Sequence, residues 1–206
     1  LGYPVDLPNP SSSTLFSMTG EASHAGDVEI PGGRMPLGAS KFSGFVFDNE
    51  KWAHDITLAP YAIAKQAVSN RAFLCFVEDQ GYARREFWSD DGWRMRCELS
   101  LTAPRYWRRI ESQWQIRRFG EWQPFTPDEP VMHVSWHEAQ AYCRWAKRRL
   151  PSEAEWEMAA SMNNTLTQKR RYPWRDDPTQ ATAPASPHQA NLDAQFKGPV
   201  ATQACA

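Results

Sequence analysis

Two helix-start signals lie close together in the stretch HVSWHEAQAYCRWAKRRLPSEAEWEMAA, residues 133–160. In the first signal, the Ser135 hydroxyl can accept a hydrogen bond from the backbone N–H of Glu138, and the Glu138 carboxylate can accept one from the N–H of Ser135. Ser152 and Glu155 have the same spacing. Each pair matches a capping box, so the stretch predicts two consecutive helices.

The first of these helices has one apolar face. Apolar or small residues recur there at steps of three and four, at Ala139, Tyr142, Cys143, Ala146 and Leu150. Pro151 is predicted to end this helix, and the second helix is predicted to run to about Ala160. We expect the two helices to pack together through this face and Met158.

The same stretch contains two histidines four residues apart. This spacing suits a shared metal ion only when both side chains lie on one helix face. The capping box leaves His133 outside the helix and His137 within its first turn. The other histidines, His24, His54 and His188, are scattered along the chain. We therefore predict that His133 and His137 do not hold a transition metal together.

Composition indicates one globular domain. The chain has 206 residues, of which 41% are hydrophobic and 23% are charged, and no run approaches the roughly eighteen apolar residues of a membrane span. The start, LGYPVDLPNPSSSTLF, lacks the order of a signal peptide, so we expect a cytoplasmic protein without membrane partners. The net charge of −1 disfavours a nucleic-acid partner. The first residue is Leu, which suggests part of something longer.

The four cysteines favour a reduced protein without a cysteine metal site. They are Cys75, Cys97, Cys143 and Cys205, and no Cys-x-x-Cys pair is present. Buried or unreactive thiols are the reading that this spacing favours.

The chain before the capped helices divides into short elements. Residues 1–27 are rich in Ser, Pro and Gly and are predicted to be a linker or tail. The segment 28–38 predicts two short strands around a Gly-Gly turn, and 54–68 predicts one strand bending into another. A helix is then predicted to begin after Ser69 and to stop at Gly81.

The segment 82–127 contains five tryptophans and several turn signals, so we expect irregular loops and short strands there. SDDGW (89–93) is read as an acidic surface turn. RYWRRIESQWQIRRFGEW (105–122) interleaves arginines with aromatic residues, as single-strand nucleic-acid binders do. Because the whole chain is nearly neutral, we favour arginines packed along aromatic faces.

The segment FDNEKWAH contains the candidate substrate-binding residues. Asp48, Asn49 and Glu50 place three polar side chains between Phe47 and Trp52. This composition suits a loop held by hydrogen bonds to backbone N–H groups, or a contact to a polar ligand. Both interpretations remain open from the residues alone.

Several segments, read in order, resemble a known family. They are IPGGRMPLG, FVFDNEKWAH, VSNRAFLCFVEDQGY, FWSDDGW, PVMHVSWHEAQAYCRWAKRRLPSEAEWEMAA, YPW and ANLD. They resemble the formylglycine-generating-enzyme-like, or sulfatase-modifying factor, domain, and most of all its form in ergothioneine-type sulfoxide synthases and selenoneine synthases. The resemblance implies an unusual C-type-lectin-like α+β fold with much irregular chain. It also implies an incomplete domain over 28–206, truncated at its C-terminal end.

The resemblance also implies a function. The chain would be a fragment of a non-haem iron(II)-dependent oxygenase that joins sulfur or selenium to trimethylhistidine, with a thiol or a selenosugar as the second substrate. In that family, three histidines of a DinB-like helical bundle hold the iron, and later motifs carry most of the residues that contact substrate. Neither is found in this sequence. We therefore expect the catalytic residues to lie outside this chain, and the chain alone to be inactive.

Two further expectations follow from the resemblance. Asn191 and Leu192 match a pair that helps to bind a structural calcium ion in the formylglycine-generating branch. The alternatives to the synthase assignment are a fragment of a formylglycine-generating enzyme and a non-catalytic lectin-like binding module.

Overall fold

The computed structural model describes residues 26–41, 44–162, 169–170, 172–173, 190–191 and 198–202. The strands in these ranges are β1 (Asp27–Ile30), β2 (Gly33–Leu37), β3 (His54–Leu58), β4 (Tyr61–Ala64), β5 (Trp107–Ile110), β6 (Gln113–Arg118) and β7 (Glu121–Pro124). The α-helices are α1 (Asn70–Glu78), α2 (Asp90–Glu98), α3 (Trp136–Trp145) and α4 (Glu153–Ser161). None of the helices in these ranges is long and apolar enough to cross a membrane.

The seven strands form three small antiparallel sheets. β1 pairs with β4, β2 pairs with β3, and β5, β6 and β7 form a three-stranded sheet in that order. The register places three apolar pairs opposite each other, namely Val28 and Ile63, Met35 and Ile56, and Trp107 and Ile116. Helices and small sheets together confirm the predicted α+β class.

The strands predicted over 28–38 and 54–68 are present, and each strand of the first segment pairs with a strand of the second. The Gly-Gly turn therefore connects two sheets and does not close a hairpin. Gly32 has a φ of +71°, and a Cβ atom there would lie 2.4 Å from the Leu58 carbonyl oxygen. Only glycine fits this close backbone approach without a shift.

Both predicted capping boxes are confirmed. The Ser135 hydroxyl accepts the N–H of Glu138 at 3.2 Å, and the Glu138 carboxylate accepts the N–H of Ser135 at 2.7 Å. The Ser152 and Glu155 pair repeats these bonds at 3.2 Å and 2.8 Å. Tyr82 adds a buried O–H bond of 2.5 Å to Glu138, so this carboxylate also ties α3 to the core.

The predicted end of the first capped helix is wrong. α3 stops at Trp145, well before Pro151, because Lys147 adopts a left-handed φ of +56°. The N–H of Arg148 then bonds to the Cys143 carbonyl at 2.7 Å. This is the Schellman arrangement, which satisfies the last carbonyls of a helix.

The prediction of irregular chain over 82–127 is wrong in part. Ser89 caps α2 by accepting the N–H of Gly92 at 3.1 Å, so SDDGW begins a helix and is not an acidic turn. Asp90 and Asp91 lie in the first turn of α2, where the partial positive charge of the helix favours carboxylates. The three-stranded sheet occupies much of the remaining segment.

Buried side chains form two apolar clusters. The larger cluster contains Phe73, Phe76, Tyr82, Trp88, Trp107, Ile116 and Tyr142. The smaller one contains Met35, Met158 and Met162. Because Met158 packs against β2 and β3, the prediction that it joins the apolar face of α3 is wrong.

Candidate functional site

The candidate substrate-binding residues lie in an exposed loop that we call the aromatic loop, residues 44–53. Phe45 is 85% exposed, Phe47 is 69% exposed and Trp52 is 46% exposed. The two phenylalanine rings contact each other edge to face, with their centroids 5.1 Å apart. Neighbouring large apolar side chains with this much exposure are typical of a surface that contacts a ligand or another part of a protein.

The polar residues of the aromatic loop form one exposed turn. Asp48, Asn49 and Glu50 make up a single-turn 3-10 helix. The Lys51 ammonium donates to the Asp48 carboxylate at 2.8 Å, and the Asn49 amide donates to the Glu50 carboxylate at 3.4 Å. The structure therefore brings the three predicted residues together. The side-chain hydrogen bonds described for them join residues of this turn and the adjacent Lys51.

Backbone hydrogen bonds fix the base of the aromatic loop. The N–H of Ala39 donates to the Glu50 carbonyl at 2.8 Å, and the N–H of Ala53 donates to the Ala39 carbonyl at 2.9 Å. Gly38 has a φ of +90°, and a Cβ atom there would lie 2.9 Å from the Glu50 carbonyl oxygen. The C-terminal part of the loop is thus held next to the end of β2.

Two residues from the far end of the chain contact the same place. The Glu157 carboxylate accepts the N–H of Gly38 at 3.0 Å. The Lys169 ammonium donates to Glu157, to the Gly38 carbonyl at 2.6 Å and to the Pro36 carbonyl at 3.3 Å. No local motif in the sequence points to these two residues, and the sequence analysis missed them.

The two histidines of the capped stretch lie in different surroundings. His133 has a left-handed φ of +59° and contacts the Tyr106 ring edge to face at 5.3 Å. The His137 imidazole lies 3.3 Å from the Ser89 hydroxyl. Among the residues that the structure describes, no three His, Cys, Asp or Glu side chains are placed to hold a metal ion. The donors present in those ranges do not fit an iron site.

A cleft next to His133 is lined by two arginines, Arg117 and Arg118. Arg118 lines this cleft and pairs with Glu129, and both side chains are mostly buried. The Thr126 hydroxyl donates to Glu129 at 2.9 Å and accepts from Arg118 at 3.1 Å. Burial lowers the pKa of Arg118 from its usual range. Because the partners of this guanidinium lie within the fold, we assign the cluster a structural role.

The arginine and aromatic motif of 105–122 packs as predicted. The Arg108 guanidinium lies over the Trp122 ring, 4.1 Å from its centroid, and donates to the Gln115 side chain at 2.8 Å. Arg109 lies 6.0 Å from the centroid of Trp114. These contacts between arginines and indole rings stabilise the outer surface of the three-stranded sheet.

The predicted calcium pair is only partly described. The Asn191 side-chain amide donates to the Gly198 carbonyl at 3.0 Å. Leu192 lies outside the described residues. The calcium site stays a prediction.

Comparison with known proteins establishes the family. The family model of the sulfatase-modifying factor enzyme 1-like domain matches residues 12–204. The chain belongs to this family. This confirms the resemblance that the sequence motifs indicated.

Several curated relatives are similar to the chain. It is 43% identical over 140 residues to the hercynine oxygenase of Mycolicibacterium thermoresistibile, covering 68% of this chain and 31% of that protein. It is 41% identical over 138 residues to the hercynine oxygenase of Mycobacterium tuberculosis, covering 66% and 32%. It is 37% identical over 179 residues to the formylglycine-generating enzyme of Thermomonospora curvata, covering 81% and 56%. The chain thus spans between about a third and about half of the length of these relatives.

Proposed function

We propose that this chain supplies part of the substrate pocket of an iron(II)-dependent oxygenase that joins sulfur or selenium to the imidazole ring of trimethylhistidine. Its similarity to two proteins named hercynine oxygenase, at 43% and 41% identity, carries the proposal. Hercynine is trimethylhistidine, a small molecule with a quaternary ammonium group and a carboxylate.

The chemistry of the aromatic loop supports a role in binding this substrate. A quaternary ammonium group is attracted to aromatic faces and to carboxylates. Phe47 and Trp52 offer exposed rings, and Asp48 and Glu50 offer carboxylates within the same turn. The Asn49 amide can donate to the substrate carboxylate. We therefore propose Asp48, Asn49 and Glu50 as substrate contacts.

Other parts of the proposal rest on the family resemblance. We assign iron(II) to a DinB-like helical bundle of a longer cytoplasmic protein, with the catalytic residues outside this chain. This chain would form an incomplete C-type-lectin-like domain over 28–206, preceded by a linker over 1–27. Asn191 and Leu192 would contribute to a structural calcium site.

An activity assay tests the proposal. The longer protein and the 206-residue chain are each incubated with iron(II), oxygen and trimethylhistidine. Cysteine, γ-glutamylcysteine or a selenosugar is added in turn, and mass spectrometry detects the carbon–sulfur or carbon–selenium product. We expect product from the longer protein and none from the chain above a metal-only blank. If the chain alone formed product, and any single His→Ala change abolished it, the chain would carry its own iron site.

Substitutions in the aromatic loop test the substrate contacts. In the longer protein, we expect the Asp48→Asn and Glu50→Gln double variant to raise the KM for trimethylhistidine roughly five- to tenfold, with little change in kcat. Glu98→Gln, at the exposed end of α2, is the matched control and should leave KM unchanged. An unchanged KM in the double variant would show that the loop does not contact trimethylhistidine.

A formylglycine-generating activity is the second candidate, because the similarity to the Thermomonospora curvata enzyme extends over 81% of this chain. Incubating the longer protein with oxygen, a thiol reductant and a sulfatase-derived cysteine peptide would convert the CH2–SH group of the cysteine to an aldehyde, with loss of its sulfur, if this candidate is right. A protein that binds trimethylhistidine without forming either product would be a non-catalytic binding module.

A further inference from the structure

One short segment, Gly38 and Ala39, connects the aromatic loop to two charged side chains. On one side, Ala39 bonds twice to the C-terminal part of the loop, to the Glu50 carbonyl at 2.8 Å and to the Ala53 N–H at 2.9 Å. On the other side, both the N–H and the carbonyl of Gly38 bond to side chains, the N–H to Glu157 at 3.0 Å and the carbonyl to Lys169 at 2.6 Å. The position of this segment therefore determines the position of the C-terminal part of the loop.

The Lys169 ammonium has a hydrogen-bond acceptor for each of its donors. Its three N–H donors have three oxygen acceptors within the fold, which are the Glu157 carboxylate and the carbonyls of Pro36 and Gly38. The Lys169 side chain is 29% exposed and that of Glu157 is 16% exposed. A carboxylate this far from water needs a charged or hydrogen-bonding partner, and the two carbonyls need a donor.

We propose that Glu157 and Lys169 are positioning residues that fix the aromatic loop in the arrangement that binds substrate. The functional part of this inference rests on the proposed function, whereas the structural part does not. Without the ammonium, the Glu157 carboxylate would lose its cation, and the carbonyls of Pro36 and Gly38 would lose their donor. Repulsion between these oxygens would displace Gly38, and the hydrogen bonds of Ala39 to the loop would open more often.

Amide hydrogen exchange in the protein tests the structural part. Lys169→Met removes the ammonium and keeps most of the side-chain length. We expect exchange at the Ala39 and Ala53 amides to become roughly tenfold faster, with α1 amides unchanged. Lys147→Met, at an exposed lysine, is the matched control and should change neither region. Unchanged exchange in Lys169→Met, or equal acceleration in α1 and the loop, would overturn the proposal.

Two further variants separate this arrangement from a simple ion pair. Glu157→Gln keeps an acceptor for the Gly38 N–H, so it should accelerate loop exchange less than Lys169→Met does. The charge swap Glu157→Lys with Lys169→Glu restores an opposite-charge pair, but it places a carboxylate against the carbonyls of Pro36 and Gly38. We expect no rescue by the swap. Rescue would show that any ion pair is sufficient and would overturn the specific role of the ammonium.

Steady-state kinetics test the functional part separately. If the aromatic loop binds trimethylhistidine, Lys169→Met should raise its KM several-fold with little change in kcat, because the change affects binding and not the chemical step. Faster loop exchange with an unchanged KM would keep the positioning role and reject the substrate role of the loop. Unchanged exchange would reject the positioning role whatever the kinetics show.

Discussion

Replacing Glu155 tests how much one capping carboxylate contributes to the stability of this fold. Its two oxygens accept from the Arg149 guanidinium at 2.5 Å and 2.7 Å, and one of them also accepts the N–H of Ser152 at 2.8 Å. Bonds from Arg149, and then the N–H of Ser152, lower the pKa of Glu155 to about 2. Because these bonds favour the ionised form, the carboxylate stabilises the folded state.

The size of this contribution follows from the pKa change. A decrease from 4.5 to about 2 corresponds to about 3.5 kcal/mol, at roughly 1.4 kcal/mol per pH unit. The Arg149 side chain is 67% exposed, so water screens part of the interaction, and we expect about 1–2 kcal/mol. Since the pKa is lower in the folded state, this stability is fully present above about pH 4.5 and is lost as the pH falls toward 2.

Urea denaturation of the Glu155→Gln variant measures the effect. We expect the free energy of unfolding to fall by about 1–2 kcal/mol near neutral pH, and the difference from the unmodified protein to shrink at about pH 3. Glu153→Gln is the matched control, because Glu153 lies exposed in the same first turn. It should lower the free energy of unfolding by only about 0.3 kcal/mol. Equal losses in the two variants, or a loss for Glu155→Gln that does not depend on pH, would refute the reasoning.

Three other outcomes are expected. Gly81→Ala should destabilise the fold by about 1–3 kcal/mol in urea denaturation, because the new Cβ atom would lie 2.0 Å from the Phe76 ring. Tyr82→Phe should cost about 1.5–3 kcal/mol, since the buried Glu138 carboxylate loses an O–H donor; a wild-type midpoint would contradict this. Titration of the chain with zinc or iron should show no stoichiometric binding that His137→Ala removes.

The starts of α1, α3 and α4 could be predicted from the sequence, whereas the start of α2 and the ends of α1 and α3 could not. A capping serine and its partner are three residues apart, so the bonds of Ser69, Ser135 and Ser152 are local. The ends of α1 and α3 depend on left-handed residues, which are Gln80 at a φ of 57° and Lys147 at 56°. Glycine is the usual residue at such positions. Neither Gln nor Lys gives a local signal for a helix end, so the prediction chose Gly81 and Pro151.

The sequence also did not predict which of the two apolar clusters α4 would join. The apolar spacing within α3 correctly placed Tyr142 and Cys143 in a core, because spacing along one helix determines which side chains share a face. It could not show that Met158 of α4 packs against β2 and β3, since nothing local specifies which element lies opposite a helix. A prediction of contact between two adjacent helices therefore needs more than their proximity in sequence.

The candidate site shows the same division between local and distant contacts. Asp48, Asn49 and Glu50 are consecutive, so their grouping between aromatic residues could be read directly. The residues that support the loop come from much later in the chain, since Glu157 follows Gly38 by 119 residues and Lys169 follows it by 131. The link exists because Met158 packs α4 against β2, which brings the adjacent Glu157 to the Gly38 N–H. Packing of one apolar side chain in the smaller cluster thus places a charged pair at the base of the loop, and substitutions at Met158 should disturb the loop through that pair.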